Sequence, residues 1–265
     1  MSIEIVDVVF LRGREMPVAV EFLGRTRVLS EGREVALSRQ NISFLAYLVL
    51  FREIDHPREV IIEQFWSSCE PTRGRSCLGT ALQRLRKALQ VNGSNWLELS
   101  PRGEPRISPL APIWFDIVEF EAAIMPALVV PQGMLEASLL QNLVVGLTHY
   151  RGDLLLGWYD DWVLAERERL RLLCLRGYRR LMEHHVSVGD MDNALAAGQS
   201  ALRIEPLQEL VQQHVIELYC NTGQRVSAIR QYEKLATMLK AELGIAPSKN
   251  TSALIDRIRS ERSVS

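Results

Sequence analysis

Side chains able to do chemistry are few in this 265-residue chain, and their spacing argues against a catalytic centre. The histidines are His56, His149, His184, His185 and His214. His184 and His185 are neighbours, so on a helix their rings point about 100° apart and make a poor metal pair. Cys69, Cys77, Cys174 and Cys220 form no CxxC pair and read as free thiols of a reducing cytoplasm. No GxxxxGK[ST], HExxH, GxSxG or GxGxxG run is present, so nucleotide-loop, zincin, serine-hydrolase and dinucleotide chemistry lack their motifs. Asp153, Asp160 and Asp161 surround Trp158 and Trp162, a combination that would suit a sugar; the plainer reading is helix-starting acids beside core tryptophans. The chain is read as a non-enzyme with no cofactor and no metal.

The chemistry that stands out is cationic. Between Arg73 and Arg106 there are seven Arg or Lys against two acids, Glu98 and Glu104. Residues 1–72 carry eight basic and eleven acidic side chains, and the whole chain has a formal net charge of -1. Any polyanion site must therefore be this local patch. Leu78, Ala81, Leu82, Leu85 and Leu89 recur at helical spacing and form a core face. Ser76, Thr80, Gln83, Arg84 and Lys87 fall on the opposite face. Arg73 and Arg75 lead into it, Arg86 flanks the stripe, and Arg102 and Arg106 follow on a hairpin. Cations so placed neutralise phosphates and release counterions. Arg and Gln also read base edges in the major groove by paired hydrogen bonds. The expected partner is double-stranded promoter DNA, with Thr80, Gln83 and Arg84 reading bases and Arg75, Arg86, Arg102 and Arg106 gripping phosphate. A basic helical face by itself is more often a solvated surface, so the elements around it decide.

Those elements are strands, three helices and a hairpin. Val18–Phe22 and Arg25–Leu29 read as strands around Gly24, and Glu34–Leu37 as a third. Residues 3–10 alternate weakly and suit an extra strand or an arm. Helices are expected over Gln40–Arg52, Arg58–Trp66 (with Pro57 ahead of it, burying Val60, Ile61, Phe65 and Trp66) and 75–90. Ser67–Gly74 reads as a polar loop, and Asn92–Asn95 as a stop. Trp96–Leu99 and Arg106–Ser108 make a hairpin turned by Pro101-Arg102-Gly103. This order is that of a winged helix-turn-helix, which places the basic helix third and a wing after it. Pro109 and Pro112 mark the passage into an almost purely helical half.

That half repeats with a period of 34. Gly189 recurs as Gly223, Ala194 as Ala228, Leu181 as Val215 and His185 as Tyr219. Ala201 and Pro206 follow in the first unit at tetratricopeptide spacing. Tyr232 stands where the first unit has Gly198, and Lys240 replaces the closing proline. Glycine permits the tight turn of a helical hairpin, and alanine permits close backbone approach. The fold class is thus mixed: an α+β winged helix-turn-helix over residues 18–112, preceded by an extension of residues 1–17, then an all-α tetratricopeptide-like domain over residues 113–265.

Several segments together resemble the antibiotic regulatory protein (SARP) type of bacterial regulators. FLGRTRVLSEGREVALS is similar to the opening sheet of that family's OmpR-like winged helix, and ALQRLRKAL (Ala81–Leu89) to its recognition helix. WFDIVEFE (Trp114–Glu121) resembles its junction. YRGDLLLGWYDDWVLAERERL (Tyr150–Leu170) is the most specific segment, and AELGIAP (Ala241–Pro247) with Thr251 and Leu254 resembles the end of its bacterial transcriptional activator domain. The wing departs from the family: Arg102-Gly103-Glu104-Pro105-Arg106 lacks the usual Gly-Tyr pair. The resemblance implies activation through contact with RNA polymerase, for which the loop beside the basic helix, Ser67–Gly74, is the expected surface.

Two function classes remain open. One is a DNA-binding regulator. The other is a helical-repeat scaffold whose winged helix binds no specific DNA; the clustered cations speak against it. A homodimer would suit repeated half-sites. The first residues carry Glu4 and Asp7 and no signal-peptide pattern, and no apolar run of about 18 residues occurs, so a cytoplasmic protein without a membrane partner is expected.

Overall fold

The computed structural model describes residues 16–89, 95–131 and 133–260. The expected strand or arm at residues 3–10, the helix end at Gln90 and the stop at residues 92–94 lie outside them. The chain forms two compact units: the first runs to Ala122 and takes in Thr148–Arg167, and the second comprises Ala123–Leu147 and Glu168 onward.

The first unit opens with β1 (Val18–Glu21), β2 (Arg27–Ser30) and β3 (Arg33–Glu34), and β6 (Ile113–Phe115) completes a sheet of order β3-β2-β1-β6. β1 and β2 pair antiparallel from Val18↔Ser30 to Glu21↔Arg27, while β6 runs parallel to β1 from Val18↔Ile113. Central β1 is buried along its whole length, as its apolar VAV run requires. The third strand is shorter than expected and stops at Glu34.

Three helices follow: α1 (Arg39–Leu50), α2 (Arg58–Trp66) and α3 (Pro71–Ala88). Ser38 caps α1 by accepting from the Asn41 N–H. Phe44, Leu45, Leu48 and Val49 then form its buried face. In α2, Ile61 and Trp66 are buried but Val60 is 51% exposed. A nine-residue helix has one inward stripe, and Val60 sits about 100° from Ile61. The polar loop is only Ser67–Glu70. α3 begins with Pro71 in its first turn, a turn earlier than expected. Gly74, which reads as a loop breaker, is instead a contact residue: a Cβ there would lie 2.5 Å from Ile62 Cγ2.

β4 (Leu97–Leu99) and β5 (Pro105–Ile107) form the antiparallel wing, in register Leu97↔Ile107 to Leu99↔Pro105. Residues 148–167 return to this unit. The Gly24 N–H donates to the Asp153 carbonyl, the Leu155 N–H to the Phe22 carbonyl, and Leu23 bridges Leu154. A Cβ on Gly152 would lie 3.1 Å from the Gly24 Cα, so the two backbones touch.

The remaining helices are α4 (Asp116–Val129), α5 (Ala137–His149), α6 (Asp161–Ser187), α7 (Met191–Ile204), α8 (Glu209–Asn221), α9 (Arg225–Leu243) and α10 (Lys249–Ser260). The 34-residue repeat is visible hydrogen bond by hydrogen bond. Between α6 and α7 the Asp190 N–H donates to the His185 carbonyl and that of Gly189 to Val186. Between α8 and α9 the Gln224 N–H donates to Tyr219 and that of Gly223 to Cys220, each pair shifted by one period. Gly189 and Gly223 have φ of 77° and 74°, the left-handed region that side chains disfavour. Ala194 and Ala228 are fully buried. Gly198 is small for a reason: its Cβ would stand 2.6 Å from Val215 Cγ2. α10 closes the last hairpin, with Leu254, Ile255 and Ile258 packed on Ile216 and Ala228. The mixed class holds: a winged helix followed by a helical-repeat half.

Candidate nucleic-acid interface

α3 has two sharply different faces. Leu78, Ala81, Leu82, Leu85 and Leu89 are all buried, from 0% to 4% exposed. Arg73, Arg75, Ser76, Thr80, Gln83, Arg84, Arg86 and Lys87 are all exposed. Residues 73, 76, 80, 83 and 87 follow one another at three- and four-residue steps along the outer face, with 84 beside 83 and four residues after 80. Thr72 is also exposed in the first turn, ahead of the expected helix start; Pro71 as a first-turn proline is the sequence signal for that turn.

The expected cations divide into committed and uncommitted side chains. Arg73, Arg75, Arg84, Lys87 and Arg102 make no ion pair among the described residues. Arg86 is committed: Nη2 and Nε donate to the Leu97 carbonyl at 2.8 and 3.3 Å, tying α3 to the wing. Arg106 pairs with Glu98 at 3.1 Å. Hydrogen bonds from Ser108 and Arg106 hold the Glu98 carboxyl below the ordinary range. The other wing acid is turned inward: Glu104 is 7% exposed and accepts from Ser100 Oγ at 3.1 Å. Glu98 is thus engaged by a cation, and Glu104 is enclosed within the wing rather than presented on its surface. Gly103 takes φ of 80° at the wing tip, where its carbonyl accepts from Arg58 Nη1 on α2 at 3.3 Å. No sequence signal pointed to Arg58.

Behind this surface lies an aromatic cluster. Phe44 meets Phe65 and Trp66 edge-on at 5.4 and 5.8 Å, and Tyr47 meets Phe65 at 5.4 Å. Trp162, from the returning segment, joins Tyr47 at 5.4 Å and Phe65 at 6.3 Å. Arg39 lies over the Trp158 ring at 4.4 Å. These tryptophans therefore belong to the support of α1 and α2. Arg167 holds the same segment by donating to the carbonyls of Leu154, Leu155 and Trp158, each at 2.9 Å.

Two titratable groups are enclosed in this unit. Asp116 accepts from the N–H groups of Phe22, Leu23 and Ile117, each at 2.8 Å. Burial nevertheless pushes its carboxyl up to about 7. His149 packs against Trp114 with ring centroids 5.3 Å apart. Burial, with Arg151 adding, pushes its imidazole down to about 4. Among the described residues no cluster of His, Cys, Asp or Glu could hold a metal ion, and no helix is long and apolar enough to cross a membrane.

Residues 115–259 match the bacterial transcriptional activator domain family. A solved structure of Mycobacterium tuberculosis EmbR, in complex with a low-affinity phosphopeptide, is 20% identical and superposes with a TM-score of 0.71. The match covers 94% of this chain and 67% of that one, and shows a shared fold. No curated protein matches the chain.

Proposed function

The chain belongs to the bacterial transcriptional activator domain family and is a transcriptional regulator of the SARP type, and on that premise we propose that it binds double-stranded promoter DNA through α3 and the wing. The observation that carries this reading is the outer face of α3, where Arg73, Arg75, Arg84 and Lys87, exposed and without an ion-pair partner among the described residues, flank Ser76, Thr80 and Gln83. Thr80, Gln83 and Arg84 read base edges. Arg73, Arg75, Lys87 and Arg102 hold phosphates. Arg86 and Arg106 contribute with the guanidinium donors left over from Leu97 and Glu98. Residues 18–112 supply the DNA-facing surface and residues 113–265 an interaction module.

The activator role follows from the family. The exposed turn Ser67–Glu70 and the first turn of α3 stand beside the DNA-facing residues, where polymerase bound to adjacent DNA would be in reach. A homodimer through the helical half would place two winged helices on repeated half-sites.

Fluorescence anisotropy of the full chain on promoter fragments tests the reading. Selective binding that weakens steeply with salt is expected, because several phosphates are neutralised. Equal affinity for promoter and random duplex at every salt concentration would overturn it.

A further inference from the structure

The second unit holds a half-open cavity of about 180 Å³ between α6 and α8. Its floor is apolar: Met182 and Leu218 are buried, and Val186 beside them is 43% exposed. Glu183 from α6 and Glu217 from α8 stand on its wall. They are 34 residues apart, so each repeat supplies the same carboxylate from the same helical position. His214 and Asn221 complete the wall, and the enclosed His214 Nδ1 has no hydrogen-bond partner among the described residues.

Size and charge narrow the occupant. Small-molecule sites run to about 300–1,000 Å³. This cavity is smaller and matches one long side chain. Two carboxylates over an apolar floor complement a cation on a methylene stem, the form of arginine. Glu217 has no ion pair among the described residues. Glu183 shares its charge with Arg179 at 3.5 Å, a half-exposed pair that an incoming cation can displace. A metal ion does not fit: among the described residues, no three of His, Cys, Asp and Glu are grouped so as to hold one, Glu183, His214 and Glu217 included.

We propose that the groove between α6 and α8 receives an arginine side chain from a partner polypeptide, with its stem on Met182, Val186 and Leu218 and its guanidinium between Glu183 and Glu217. The carboxylates accept the paired guanidinium N–H groups, and the apolar floor packs against the methylene stem. This goes beyond the DNA-binding reading and stands or falls independently of it.

NMR titration of the full chain, following the His214 ring protons, tests the site. The probes are acetyl-Leu-Arg-Leu-amide and its citrulline counterpart, a neutral near-isostere. A saturable shift with the arginine peptide is expected, with affinity about tenfold weaker for citrulline. Glu217→Gln and Glu183→Gln should each weaken arginine binding and leave DNA affinity and circular dichroism unchanged. Equal binding of the two peptides, no shift at millimolar peptide, or full binding by the double Gln variant would overturn the proposal. Sedimentation with and without peptide identifies the donor: self-association dispersed by the arginine peptide would make a second copy the occupant and reject a distinct partner.

Discussion

The outer face of α3 and the middle of α6 both carry arginine, and they use it in opposite ways. On α3, Arg73, Arg75 and Arg84 project outward and make no ion pair among the described residues. On α6, Arg180 is 8% exposed. Its guanidinium donates to the carbonyls of Ala127 at 3.1 Å and of Val130 and Pro131 at 2.8 Å, at the C-terminal end of α4. The buried Ala127 carbonyl lies in the last turn of α4, where helix geometry leaves it without an intrahelical donor, and the arginine satisfies it; the Pro131 carbonyl also accepts from the Met134 N–H at 3.2 Å. The first kind of arginine is available for another molecule. The second is part of the fold. Sequence composition treats them alike; only their acceptors separate them.

The comparison is broken most directly at Arg180. Arg180→Ala removes the donor from the buried Ala127 carbonyl together with the packing of a buried side chain, and should lower stability by about 2–4 kcal/mol in urea denaturation. A loss no larger than that of Arg84→Ala would remove the distinction.

The next effect is on pH, and it involves two enclosed groups of opposite sign. Asp116 titrates at about 7 in the fold against 3.8 ordinarily, so its contribution is present at acid pH and lost as pH rises through 7. His149 titrates at about 4 against 6.5, so its contribution is present above 6.5 and lost as pH falls through 4. The two oppose each other between about 4 and 6.5, and the wild-type stability profile should be shallow there. His149→Phe keeps a ring against Trp114 and removes one arm. Its stability should then fall by about 3 kcal/mol from pH 4 to pH 7, at about 1.4 kcal/mol per unit. A flat profile in that variant would show that Asp116 stays ionised throughout.

Two glycines on α3 sharpen the distinction between committed and available positions. Gly74→Ala forces a Cβ against Ile62 Cγ2 and should cost about 1–3 kcal/mol. Gly79 has nothing within 4 Å of the same atom, so Gly79→Ala should stabilise by about 0.5–1 kcal/mol through helix propensity. Thermal melts of the two variants that move in the same direction would contradict the placement of α3 on α2.

The remaining effects are expected in binding rather than in stability. Arg84→Ala should cost about 1–3 kcal/mol of DNA affinity and relax one base position, with stability unchanged. Arg102→Ala should weaken all sequences alike and reduce the salt slope by about one. A site library in which both variants lose affinity uniformly would reject base reading by Arg84.

What could be read from the chain beforehand was whatever depends on neighbours in sequence. The apolar stripe of α3 needs only helical periodicity, and the repeat shows because Gly189 and Gly223 must occupy left-handed φ at fixed spacing. The start of α3 is not encoded locally: Gly74 has the composition of a loop, and its reason for being glycine is Ile62 on another helix. Arg86 and Arg106 looked like simple phosphate grips; Leu97 and Glu98 engage them only once the wing folds back. Asp116 reaches Phe22 across 94 residues, a separation that no local pattern encodes.

The discontinuous build of the first unit has a consequence during synthesis. Its sheet and helices are present once Ala122 is made, yet the segment that supplies Arg151 to Glu21, Leu154 to Leu23 and Trp162 to the ring cluster ends only at Arg167. At about 5–20 residues per second, a ribosome delivers those last residues roughly 2–9 seconds later. For that interval the nascent first unit lacks part of its hydrophobic support, which leaves apolar surface open to chaperones.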